Sequence, residues 1–121
     1  MNILVTGGAG YIGAHTCIEL IKEGFEVIVI DNLCNSSIES LRRVENIVKS
    51  KITFYNIDIS NKVALSEVFK RHKIDGVIHF AGLKAIGESV EKPIEYYNTN
   101  VGSSFILASV MNNYNCKTLI F

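Results

Sequence analysis

Apolar residues recur along this chain in two alternating rhythms. Ile3-Leu4-Val5 and Val27-Ile28-Val29-Ile30 are short unbroken apolar runs, the mark of strands buried on both faces. Residues 52–57 alternate more, which suits a strand nearer a sheet edge. Val77-Ile78-His79-Phe80-Ala81 and Thr118-Leu119-Ile120-Phe121 complete five predicted strands. Between them the period lengthens to that of a helix. Over residues 12–23 it places Ile12, Cys17, Leu20 and Ile21 on one side, and Gly24 supplies a stop. Over 37–48 it runs through Ile38, Leu41, Val44 or Glu45, and Val48, behind the capping-box form Ser36-x-x-Glu39. Ser60 is the candidate cap for a helix over 61–72, with Val63, Leu65, Val68 and Phe69 inward. Pro93 stands where a first helical turn begins. One long helix is predicted from there over 94–112, its apolar face traced by Tyr97, Val101, Phe105, Ala108 and Met111 or Asn112.

Strands alternating with helices, without internal repeats or low-complexity linkers, make stacked βαβ units. Right-handed crossovers then force a parallel sheet covered on both faces. The expected fold class is therefore α/β: a doubly wound parallel sheet of Rossmann type, strand order 3-2-1-4-5. Ligands of such sheets bind at the carboxyl ends of the strands, where the chain order reverses between strands 1 and 4. The candidate chemistry collects there.

Thr6-Gly7-Gly8-Ala9-Gly10-Tyr11-Ile12-Gly13 leaves the first strand and opens the first helix. It satisfies G-x-G-x-x-G through Gly8, Gly10 and Gly13, and G-x-x-G-x-x-G through Gly7, Gly10 and Gly13. An early glycine takes backbone angles closed to residues with a Cβ. A middle one lets a pyrophosphate approach the main chain, and Gly13 lets the helix pack close to the strand. The amides of Tyr11 and Ile12 then face phosphate with the positive end of the helix dipole. Asp31 ends the second strand, eighteen residues after Gly13. A carboxylate there accepts from both adenosine ribose hydroxyls and repels a 2′-phosphate. No lysine or arginine lies in Asn32-Leu33-Cys34-Asn35-Ser36, so the expected cofactor is NAD rather than NADP. Asp58 ends the third strand similarly. It is placed to reach the adenine amino group while Ile59 and Leu33 sandwich the ring, or equally to cap the next helix beside Ser60.

Charge adds only exclusions. Twelve basic residues balance twelve acidic ones, so no net field draws the chain to nucleic acid or anionic lipid. No apolar stretch is long enough to span a bilayer, and no basic leader precedes the first strand. Cys17, Cys34 and Cys116 show no metal-ligand or CxxC spacing and read as free thiols of a reducing, cytoplasmic compartment. His79 reads as a locally bonded core residue, and His15 and His72 have no metal-ligand spacing. Tyr96 and Tyr97 divide between core and surface, and Glu88 and Glu91 form a solvated face. The chain ends inside an apolar run at Leu119-Ile120-Phe121, as expected of the N-terminal part of a longer protein.

The glycine turn, Asp31-Asn32-Leu33 and Phe80-Ala81-Gly82-Leu83-Lys84 together resemble the extended short-chain dehydrogenase/reductase family. The run from His79 through Ala85-Ile86-Gly87-Glu88-Ser89-Val90, with Lys92-Pro93 and Tyr96-Tyr97, is similar to the family's UDP-hexose 4-epimerases. The likeness covers essentially all of the chain. It implies an NAD-dependent isomerase of galactose metabolism, which transiently oxidises a UDP-sugar at C4 and returns the hydride to the other face. It further implies Gly7, Gly10, Tyr11, Ile12 and Gly13 at the pyrophosphate, and Asp31, Asn32, Leu33, Asn35 and Ser36 at the adenosine ribose and its surroundings. Asp58 and Ile59 would hold adenine, and Phe80, Ala81, Gly82 and Lys84 would line the nicotinamide side, the Lys84 ammonium near ribose and phosphate oxygens. The family's Asn-Asn pair is Thr99-Asn100 here, leaving Asn100 as the amide contact. A homodimer built through a bundle containing the helix after Pro93 is implied as well.

In this family the proton of the C4 hydroxyl is taken by a tyrosine followed four residues later by lysine. Four residues beyond Tyr11, Tyr55, Tyr96, Tyr97 and Tyr114 stand His15, Ile59, Asn100, Val101 and Thr118. No Tyr-x-x-x-Lys is present, so no catalytic residue is expected among residues 1–121, and the chain by itself is expected to be inactive. Two other readings share the glycine turn: a sugar-nucleotide dehydratase or reductase of the same family, and a non-catalytic dinucleotide-binding module.

Overall fold

A computed structural model describes residues 1–83 and 85–121. The elements run β1 (Asn2–Thr6), α1 (Tyr11–Lys22), β2 (Glu26–Asp31), α2 (Ile38–Val48), β3 (Thr53–Asn56), α3 (Lys62–Arg71), β4 (Gly76–His79), α4 (Ile86–Glu91), α5 (Pro93–Tyr97), α6 (Ser103–Asn113) and β5 (Leu119–Ile120). A π turn over Asn98–Gly102 joins α5 to α6. All five strands lie parallel in the order β3-β2-β1-β4-β5, with β3 on an edge, as its alternating pattern requires.

The two-residue period of the strands feeds two separate cores. Leu4, Ile28, Ile30 and Val77 point to one, filled by Leu65, Val68 and Phe69 of α3 and Leu107, Val110 and Met111 of α6. Ile3, Val5, Val27 and Val29 point to the other, against Cys17 of α1 and Leu41 and Val44 of α2. Each fully buried valine or leucine contributes about 1.5–3 kcal/mol, so strands and helices share the stabilisation of both cores. Burial pushes the Cys17 thiol up to about 12, which makes it a packing group rather than a nucleophile. Among the described residues no helix is long and apolar enough to cross a membrane.

Gly24, at φ +88°, ends α1 in the left-handed conformation, with Phe25 N–H on the Leu20 carbonyl and Gly24 N–H on that of Ile21. Two caps differ from expectation by one residue. The cap of α2 is Ser37, whose hydroxyl accepts from Glu39 N–H at 3.2 Å, while Ser36 turns to Asp31. The cap of α3 is Asn61, accepting from Ala64 N–H at 3.1 Å, while Ser60 turns to Asp58. Val63 is exposed, because it lies two residues before Leu65 and so about 200° around the helix. Ile12 is also exposed, in the first turn of α1; the inward residues there are Gly13 and Cys17.

The helix after Pro93 departs furthest from its pattern. It is three pieces, preceded by α4, which the periodicity does not announce. The face traced by Tyr97, Val101 and Phe105 is the exposed one, Phe105 to 72%. The buried face is Tyr96, Ser103, Leu107, Val110 and Met111. Both faces are apolar, and the extra residue of the π turn shifts the phase between them.

Candidate functional site

The glycine turn is closed by its own backbone. Gly7 N–H donates to the Ile30 carbonyl at 2.8 Å, and Gly10 N–H returns to the Gly7 carbonyl at 3.1 Å. Gly7 sits at φ +69°, the conformation that a glycine takes without strain. Ala14 N–H on the Gly10 carbonyl, at 2.9 Å, is the first bond of α1. The amides of Tyr11, Ile12 and Gly13 are thus left at the open end of the helix. The need for glycine at 13 is steric: a Cβ there would lie 2.3 Å from the Gly7 carbonyl oxygen and 2.7 Å from Gly8 Cα. Gly13 therefore closes the helix onto the turn itself, not onto β1. A Cβ on Gly10 would touch only the Gly7 oxygen, at 3.3 Å. The space above the turn stays open.

Asp31 ties this turn to the loop after β2. One carboxylate oxygen accepts from Ala9 N–H at 3.0 Å; the other accepts from Leu33 N–H at 2.8 Å and from the Ser36 hydroxyl at 2.9 Å. A carboxylate offers about four acceptor positions, and three are filled from within the chain. One remains for a hydroxyl of a ligand, and a second hydroxyl must share or displace Ser36. The bond to Leu33 supports a residue held at φ +59°, uncommon for a side chain with a Cβ. Ser40 grips Ala9 from the other side, its hydroxyl 2.7 Å from the Ala9 carbonyl oxygen. This residue escapes a sequence reading, since its only signal is a hydroxyl one turn into α2.

Asn32 and Asp58 meet across the ends of β2 and β3. Asn32 donates its amide to Asp58 at 3.2 Å, and Asp58 accepts from Ser60 hydroxyl and N–H at 2.6 and 2.8 Å. The Ser60 hydroxyl and amide, with a smaller contribution from Asn32, hold the Asp58 carboxyl below its usual range. Asp58 thus organises the turn into α3, although Asn61 is the cap. The Ile59 side chain, only 6% exposed, is anchored in the core beneath and leaves little surface for a ring to stack on, while Leu33 is half-buried. Asn35 is exposed on the loop.

The loop after β4 forms the other wall. Phe80 N–H donates to the Thr6 carbonyl at 3.0 Å and Ala81 N–H to the Thr6 hydroxyl at 3.2 Å. Gly7 lies so close to this loop that a Cβ on it would stand 2.8 Å from Ala81 N. Asn100, in the π turn, clamps Leu83 twice: its side-chain oxygen accepts from Leu83 N–H at 2.7 Å and its NH2 donates to the Leu83 carbonyl at 2.8 Å. Gly82 is squeezed beneath, where a Cβ would be 3.0 Å from the Asn100 amide oxygen. Asn100 is a holder of the loop, with one N–H and one lone pair uncommitted, and not simply a ligand contact. Ala85 N–H reaches the hydroxyl of the buried Tyr96 at 3.2 Å. Lys84 lies outside the described residues. His79 is buried and bonded on both ring nitrogens, to Thr6 and Ser104, as a core histidine is expected to be.

The turn, the Asp31 loop and the β4 loop therefore converge at the carboxyl ends of β1, β2 and β4. A cleft of about 400 Å³ lined by Phe69, His72, Lys73, Ile74, Asp75 and Tyr114 lies away from them. Among the described residues no three His, Cys, Asp or Glu side chains gather to hold a metal.

Comparison with known proteins bears on this arrangement. The UDP-glucose 4-epimerase of Yersinia enterocolitica is 57% identical over 121 residues, covering 100% of this chain and 36% of its own length. That of Bacillus subtilis (strain 168) is 52% identical over 121 residues with the same coverages. The crystal structure of UDP-glucose 4-epimerase from Bifidobacterium longum in complex with NAD+ and UDP superposes with a TM-score of 0.98 at 50% identity, over 100% of this chain and 36% of that one. The chain thus spans about a third of the length of the curated relatives it matches. The family model described as NAD dependent epimerase/dehydratase matches residues 3–121, and the chain belongs to that family.

Proposed function

We propose that this chain is the NAD-holding segment of a UDP-glucose 4-epimerase. The observation that carries the proposal is the frame around the open end of α1: three amides without a helical partner, a bare Gly10, and a carboxylate with one acceptor position still free. A pyrophosphate and the adenosine ribose beside it need those groups. The amides of Tyr11, Ile12 and Gly13 take the pyrophosphate, with Gly7 and Gly10 giving it room. Asp31, with Ser36 and Asn35 at its rim, takes the ribose; Asn32, Leu33, Asp58 and the backbone of Ile59 surround adenine. Phe80, Ala81 and Gly82 form the nicotinamide wall, kept in place by Asn100. Lys84 is assigned to ribose and phosphate oxygens from its sequence position. NAD, when bound, supplies the hydride acceptor for transient oxidation at the sugar C4.

The base that takes the C4 proton is assigned to a Tyr-x-x-x-Lys outside residues 1–121, together with the UDP-sugar pocket. The full-length protein carrying this segment is expected to bind NAD at least about tenfold more tightly than NADP, and to interconvert UDP-galactose and UDP-glucose. Residues 1–121 alone are expected to show no turnover. Calorimetry with both cofactors and a coupled assay of UDP-glucose formation decide this; no NAD binding by the full-length protein would remove the proposal.

A second copy of the chain is the proposed partner of the helices after β4. Ile86, Val90, Ile94, Tyr97, Val101 and Phe105 recur at three- and four-residue intervals and all are exposed. A row of this size on a water-facing helical surface marks an interface. Phe105→Asp is expected to convert a dimer to a monomer in sedimentation velocity; an unchanged dimer would place the interface elsewhere.

A further inference from the structure

His79 stands at the centre of a directional hydrogen-bond chain, and its direction can be worked out from proton counts. The Ser104 hydroxyl donates its single proton to the Asn100 carbonyl at 2.8 Å. Its contact with His79 Nε2, at 3.1 Å, must then be an N–H donated by the imidazole. In a neutral ring protonated at Nε2, Nδ1 is an acceptor, and the Thr6 hydroxyl 2.6 Å away donates to it. The Thr6 oxygen in turn accepts from Ala81 N–H at 3.2 Å. The chain therefore runs Ala81 to Thr6 to His79 to Ser104 to Asn100, each hydroxyl donating once. Asn100 closes it onto Leu83 through both ends of its side-chain amide.

Resting on the NAD reading above, we propose that His79, fixed as the Nε2–H imidazole, is a positioning residue. It holds the loop 80–83 against the glycine turn for the nicotinamide end of the cofactor. It acts through Thr6 on Ala81 and through Ser104 and Asn100 on Leu83, two anchors two residues apart on the same wall. Losing either anchor leaves the loop to be ordered when ligand binds, which weakens only the part of the ligand that meets this wall. Adenosine and pyrophosphate, held by residues 7–13, 31–36 and 58–59, should not notice.

Ser104→Ala in the full-length protein is the test, because it breaks the chain at a half-buried hydroxyl while keeping the imidazole and its bond to Thr6. Calorimetry should find NAD affinity lowered about tenfold, ADP affinity changed less than about twofold, and NAD affinity restored in Ser104→Thr. Nitrogen-15 spectra of the parent should show His79 protonated at Nε2 and not at Nδ1. Equal losses for NAD and ADP would reduce the network to a fold-stabilising one and overturn the proposal. So would unchanged NAD affinity, or an Nδ1–H ring. Failure of the unmutated protein to bind either NAD or ADP would instead overturn the cofactor assignment, and this inference with it.

Discussion

Gly13→Ala is expected to destabilise the chain by about 3 kcal/mol and to lower NAD affinity beyond ready measurement. The added methyl carbon would stand 2.3 Å from the Gly7 carbonyl oxygen and 3.0 Å from its carbon. These are backbone atoms of a turn pinned to Ile30, so no side chain can rotate away. The first turn of α1 must swing outward, carrying with it the amides of Tyr11 and Ile12 that are to meet the pyrophosphate. Gly87→Ala is the control: it lies in α4 with nothing within 4 Å of the new carbon, and should change stability by less than about 0.5 kcal/mol. Thermal unfolding followed by circular dichroism, with calorimetry for NAD, reads both. A Gly13→Ala protein that melts like the parent and still binds NAD would show that the turn tolerates a shift that its geometry denies.

Asp31→Ala should lower NAD affinity about a hundredfold, the worth of two hydrogen bonds from ribose hydroxyls to a charged acceptor. NADP affinity should change far less, because the variant also removes the charge that repels a 2′-phosphate, and the preference for NAD narrows accordingly. A scaffold effect accompanies this one, since the same carboxylate holds Ala9, Leu33 and Ser36. Ser40→Ala separates the two. It frees the Ala9 carbonyl but leaves the carboxylate, and should keep the ratio of NAD to NADP affinity while slightly lowering the melting temperature. Equal NAD affinity in Asp31→Ala and parent would take Asp31 out of the site.

What could be read in the sequence divides along a physical line. The strand order follows from unbroken apolar runs in Val27 to Ile30 and from the alternation near Phe54, because burial on one or both faces is written in neighbouring residues. The glycine turn is legible for a similar reason: the absence of a Cβ is a local demand. The caps at Ser37 and Asn61 each lie one residue beyond the position the sequence pattern indicates, since a hydroxyl or amide stands at both candidate positions and only backbone angles choose between them. The inward face of the helices after Pro93 is not the one the periodicity traces, because their outward face is equally apolar. The hold of Asn100 on Leu83, seventeen residues away, and of Thr6 on His79, seventy-three away, leaves no periodic trace at all.

Beneath the turn, Val29 of β2 comes so near Gly8 that a Cβ there would lie 2.7 Å from one of its methyl groups. The floor of the turn is thus a core side chain, and the height of the turn over the sheet is set by how much volume that side chain fills. Interiors packed this closely yield little, so residues 7–10 are not a surface loop that takes shape around its ligand. A single methylene added at position 29, wholly inside the protein, would lift them. The reach of the site extends downward into the hydrophobic core, and a phosphate arriving there meets a surface whose level a valine has already set.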